Sequence, residues 1–175
     1  MTKRIFHTDS SGHLCRMPAY TIWIAYSVSN LAAIGLLLAS WKKPAWGRLL
    51  FFLLFGWAAW FNTTMALSTP AIYTGYAQYA FLGIYRHFIN GFFAQHTTPF
   101  VLVIACGQAG IAFGMIAKGW LFRVGATGAM LFLLGITPLG IGSAFPATLV
   151  MAWAMWLLYQ NGSRQWLWQL FWDRD

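Results

Sequence analysis

From Pro99 to Ala117 the sequence reads PFVLVIACGQAGIAFGMIA, without one charged side chain. A helix needs about 20 mostly apolar residues to cross the hydrocarbon of a bilayer. Four other segments approach the same length and character: Tyr20 to Trp41, Leu49 to Leu67, Val124 to Ile141 and Ala144 to Gln160. Each is bounded by a charge, a proline or a glycine. A water-soluble fold could not cover these runs, because only 8% of the 175 residues are charged while 59% are hydrophobic and 19% aromatic. An ordinary soluble domain carries roughly 25% charged residues. The expectation is one all-α integral membrane domain over residues 1–175, a bundle of about five transmembrane helices surrounded by lipid. The first run has no convincing small-residue cleavage site near it, so it is read as a retained helix and not as a signal peptide.

The connections set the topology. WKKPAWGR follows the first run and puts Trp41 and Trp46 at headgroup level, with Lys42, Lys43 and Arg48 in the water beyond. KGWLFR is short enough to force an antiparallel hairpin between the third and fourth runs, and ITPLGIGSAFP carries Pro138 and Pro146 to end one helix and start the next. The last two runs are short for full spans.

A formal charge of +8 would suggest a nucleic-acid partner in a soluble protein. Here the basic residues sit in short connections beside apolar runs, the pattern of cytoplasmic loops, and no nucleic acid is expected. Lys3, Arg4, Arg16 and Arg86 fall on one side of a five-helix arrangement, and Lys42, Lys43, Arg48, Lys118, Arg123, Arg164 and Arg174 on the other. The excess places the N-terminus outside and the C-terminus in the cytoplasm of a bacterial inner membrane. The acids are Asp9, Asp173 and Asp175, so none lies inside a spanning run. Cys15 and Cys106 lie in a polar segment and a deep apolar one, and no disulfide is expected between them.

Residues 68–98 form the one long external connection, rich in tyrosine and phenylalanine and poor in charge. Such amphipathic rings favour a membrane interface, so one or two helices lying flat or re-entering at the outer face are expected, with Ile72 to Gln95 open between helix and loop. Residues 164–175, RQWLWQLFWDRD, have the same character and read as an anchor on the inner face.

Few residues carry chemistry. His87 and His96 lie nine positions apart, and at about 100° per residue one continuous helix would turn them to opposite faces; a break at Gly91 would reunite them. The plain reading is two interfacial histidines bonded to backbone or headgroups. His7, His13 and Cys15 offer imidazole and thiolate donors for copper or zinc but lack the paired spacing of a zinc site, so no metal is expected. None of the apolar runs contains the axial histidine that a b-type haem requires. Ser27, Ser29, Asn30, Asn62, Thr63, Thr64, Gln108 and Thr127 supply the polarity within the runs, and packing contacts between helices are their ordinary role. The functional alternative is a pocket for a quinone or lipid headgroup, with Asn62 and Gln108 as neutral amide donors and His87 and His96 beside them. Gly110 and Gly114 form a GxxxG face, with Cys106 as a small filler on it. No nucleophile with a base, phosphate loop or metalloprotease helix is present.

Three stretches, GRLLFFLLFGWAAWFN, PFVLVIACGQAGIAFGMIAKGWLFRVGATGAML and TPLGIGSAFPATLVMAWAMWLL, follow one another over residues 46–158 in a layout that resembles the DoxX-like family of small membrane proteins. The resemblance implies a four-helix core with a long external first connection, here preceded by an extra helix, and an association with quinone-linked redox complexes. Gln108 stands where family members commonly carry an acid, a departure that speaks against carboxylate-dependent chemistry at this position. The expectation is a small accessory subunit, without established cofactor or catalysis, packed against a larger membrane protein or a second copy of itself. The alternatives are a quinone-binding subunit of an oxidoreductase and a transporter or channel for a small neutral solute.

Overall fold

The computed structural model describes residues 19–161 and 165–172. Every element among them is helical: α1 (Ala19–Lys42), α2 (Pro44–Ser68), a 3-10 helix (Pro70–Tyr79), α3 (Gly83–Phe88) running into a π-helical turn (Ile89–Phe93), α4 (Thr97–Ile116), α5 (Gly119–Ile136), a second 3-10 helix (Thr137–Ser143), α6 (Ala147–Gln160) and α7 (Gln169–Trp172). Four stretches, Trp23–Lys42, Pro44–Ser68, Thr97–Ile116 and Gly119–Ser143, are long and apolar enough to cross a membrane. The fifth, α6, has 14 residues and reaches only about 21 Å.

The long helices close a ring in which α1 packs on α2, α2 on α4, α4 on α5, α5 on α6 and α6 on α1. The core holds Phe51, Phe55, Met115, Phe122, Ala126, Ala129 and Met155. Alanine is frequent there, and small side chains let helix backbones approach closely. The outside is apolar as well: Val103 is 72% exposed, Leu31 68% and Leu131 67%. Large side chains left outward in this way are what a lipid-facing surface requires.

Several boundaries differ from the sequence reading for local reasons. WKKPAWGR is not a loop; Lys43 alone separates α1 from α2, and Pro44 takes a first-turn position that needs no amide donor. A Cβ on Gly47 would sit 2.7 Å from Ser40 Cα, so glycine is what allows this elbow to close. Arg48 is not in water. It is 1% exposed; its Nε donates to Met115 O at 2.9 Å, Nη1 to Gln165 O at 3.1 Å and Nη2 to Ala117 O. The hairpin after α4 is likewise tighter than six residues, because only Ala117 and Lys118 lie between α4 and α5, with Gly119 at φ +63°. The GxxxG pair separates: Gly114 meets Gly125 of α5, whereas Gly110 has open space around its Cα and Cys106 is exposed.

Residues 70–93 fold as a helical cap over one end of the bundle, and Phe81 N donates to Pro138 O at 2.9 Å to join it to the second 3-10 helix. Ala66, Ala77, Ile89, Phe93 and Val101 form its own small core. At the other end the C-terminal segment packs onto the bundle: Leu167 is buried, its N–H donates to Ile116 O at 3.2 Å, and Phe171 stands edge-on to Trp46 at 5.4 Å. Arg164, Asp173, Arg174 and Asp175 of the expected anchor lie outside the described residues, as do His7, His13, Cys15, Lys3, Arg4 and Arg16.

Candidate functional site

Between the helix ring and its cap lies a cavity of about 460 Å³, within the range of small-molecule sites. Its walls come from α1, α2, α4, α5, α6 and the cap, and are mostly apolar, with Phe55, Phe93, Val101, Ile104, Phe132 and Met151 among them. No Asp, Glu, Lys, Arg or His lines it among the described residues.

Helix periodicity sets the polar end. Phe51, Phe55, Ala59 and Ala66 mark the inward stripe of α2, and Asn62 falls on it; Val101, Ala105, Ala112 and Met115 mark the stripe of α4, and Gln108 falls on that. Because α2 and α4 pack along their lengths, the two amides meet: Asn62 Nδ2 donates to Gln108 Oε1 at 2.8 Å. Tyr73, delivered by the 3-10 helix of the cap, donates its hydroxyl to Asn62 Oδ1 at 2.8 Å. Gln108 is 4% exposed. A second polar group stands where α5 meets α6: Thr137 Oγ1 lies 3.1 Å from Thr148 Oγ1 and 2.8 Å from Leu133 O. Tyr85 donates to Gly135 O at 2.8 Å and so ties α3 to the end of α5. Burial pushes the Tyr76 phenol above the ordinary phenol range, and burial followed by the neighbouring Tyr76 does the same for Tyr73, so both stay neutral donors.

The structure therefore brings Asn62 and Gln108 together in one cavity wall and leaves His87 and His96 out of that wall. His87 is exposed on α3. His96 is exposed too, with Nδ1 3.1 Å from Phe92 O and its ring 4.7 Å from that of Phe92; it borders a separate, shallower hollow of about 330 Å³ with Thr74 and Thr98. Among the described residues, no group of three His, Cys, Asp or Glu could hold a metal ion. Ser29, Asn30, Thr63 and Thr64 each bond a carbonyl four residues back in their own helix and hold no neighbouring helix, and Ser27 and Thr127 are exposed. Tyr73 and Thr148 were not singled out from the sequence. The clustered tyrosines of YTGY hinted at the first, and nothing in the apolar run around Thr148 marks the second. No protein-family model, curated protein or solved structure matches the chain.

Proposed function

We propose that this chain is a small, non-catalytic subunit of a bacterial inner membrane, holding an apolar molecule with an uncharged polar head, a quinone or a lipid, beneath its cap. The observation that carries the reading is the cavity of about 460 Å³ with one amide and phenol cluster in an otherwise apolar wall. Such a wall offers hydrogen bonds to a neutral head and nothing to offset the cost of burying a charged one. The layout similar to the DoxX-like family supports a quinone-linked setting, and the N-terminal half of α1, exposed at Trp23, Ile24, Val28 and Leu31, supports a role as an accessory chain beside a larger membrane protein. On this reading the cap and N-terminus face outward and the basic end faces the cytoplasm.

The test is extraction in mild detergent followed by mass analysis of everything that co-purifies, comparing the wild type with Ala58→Phe, which fills the cavity from α2. One quinone or neutral lipid species is expected to accompany the wild type in near-stoichiometric amount and to be lost from the variant. Equal lipid content in the two proteins would refute the reading.

A further inference from the structure

Resting on the reading of the cavity as a ligand site, we infer that it selects a ligand whose polar end is a neutral carbonyl oxygen, received by the Gln108 amide nitrogen, with the direction of that donor locked by Tyr73. The chain of bonds runs one way. Tyr73 has a single hydroxyl hydrogen, and its best acceptor is Asn62 Oδ1 at 2.8 Å, with the Asn62 backbone carbonyl farther off at 3.5 Å. Asn62 must then present Nδ2 to Gln108 Oε1. That bond occupies the oxygen of Gln108 and leaves Nε2, which bonds no group among the described residues, on a side chain 96% buried in the cavity wall. Gln108 lines the cavity, and with Oε1 taken by Asn62, Nε2 is the amide atom it has left to offer a ligand there.

A wall of this kind discriminates by chemistry. Carboxylate and phosphate heads would be desolvated with no cation to meet them, and an ammonium would confront another donor. A carbonyl oxygen only accepts, so it completes the series Tyr73, Asn62, Gln108, ligand with every bond in the same sense. Two sources supply that group in a membrane: the ring carbonyl of a quinone and the acyl ester of a neutral lipid.

The full chain in phosphatidylcholine nanodiscs provides the test, with four probes: a decyl-benzoquinone, its quinol, decylbenzene, which has the tail and no oxygen, and dioleoylglycerol. The quinone is expected to bind about tenfold tighter than decylbenzene, the scale of one buried hydrogen bond. Gln108→Leu should erase that difference while decylbenzene binding is kept, which also shows that the variant is folded. A quinol hydroxyl can also accept from Nε2 but brings a hydrogen for which Gln108 Oε1, already taken by Asn62, is no acceptor, so the quinone is expected to bind tighter than the quinol. Tyr73→Phe frees both amides to turn over, and that preference should fall. Displacement of the quinone by dioleoylglycerol assigns the natural carbonyl to a lipid ester, and failure to displace it assigns the carbonyl to a quinone; both outcomes uphold the inference. Decylbenzene binding as tightly as the quinone overturns the carbonyl selection and leaves the ligand site standing, whereas no binding of any probe overturns both.

Discussion

Arg48, on α2, ties the end of α4, the start of α5 and the C-terminal segment together with one side chain. Its guanidinium lies 4.4 Å from the Phe122 ring centroid and donates to Met115 O, Ala117 O and Gln165 O. Met115 lies in the last turn of α4 and Ala117 is its C-cap, where the last carbonyls lack intrahelical donors and the helix dipole is negative. A planar fork can serve several carbonyls at once and a lysine ammonium cannot. Arg48→Met should therefore lower stability by about 3 kcal/mol, since bonds to a charged donor are lost and carbonyls are left unmet. Arg48→Lys should recover only part of it. Thermal unfolding in detergent measures both, and a melting point unchanged in Arg48→Met would refute the role. The sequence placed Arg48 in water because a basic residue beside an apolar run usually sits there. What buries it is the end of α4, 67 positions away, and no local pattern reports so distant a neighbour.

At the level of elements, α4 and α5 meet through glycine. A Cβ built on Gly125 would lie 2.8 Å from Gly114 Cα, a backbone atom that can move only if the helices part. Gly125→Leu should destabilise the hairpin by about 1–3 kcal/mol, the usual penalty of overpacking. Gly110→Leu, where nothing lies within 4 Å, should stay within about 0.5 kcal/mol of wild type. Equal melting points for the two variants would sink this account of the contact. The long apolar helices were legible in the charge-free runs, although four and not five of them are long enough to cross a membrane. Their ends were not: Trp120, Phe122 and Arg123 read as a turn, yet they form the first turns of α5, because Gly119 at positive φ completes the reversal by itself. The cap was legible only as an aromatic, charge-poor segment left open between helix and loop; its 3-10 and π geometry depends on contacts such as Gly140, where a Cβ would meet Tyr79 O at 2.5 Å. Of the cavity, the paired amides were visible as polar residues on apolar stripes, whereas Tyr73 joined them only through the fold of the cap.

The whole molecule has two chemically distinct ends. Among the described residues Lys42, Lys43, Arg48, Lys118 and Arg123 gather where the α1–α2 elbow, the α4–α5 hairpin and the C-terminal segment come together, with Trp41, Trp46 and Trp166. The capped end carries Arg86 as its one Lys or Arg among the described residues. Positive charge resists translocation across the membrane, and tryptophan settles at headgroup depth, so the uncapped end is the one expected to remain in the cytoplasm. The cavity would then open within the outer half of the bilayer, where Asn62, Gln108 and Tyr73 meet beneath the cap. Impermeant maleimide labelling of intact spheroplasts tests this arrangement in a background with Cys15 and Cys106 changed to alanine. Gly83→Cys stands on the cap and Lys118→Cys on the basic end; both positions are exposed, and no neighbouring side chain crowds Gly83. Position 83 should label at once and position 118 only after lysis, because the bilayer excludes the reagent from the cytoplasmic face. The reverse pattern would place the cap and the ligand cavity on the inner side, and equal labelling before lysis would show that the two ends do not lie on opposite faces of a membrane.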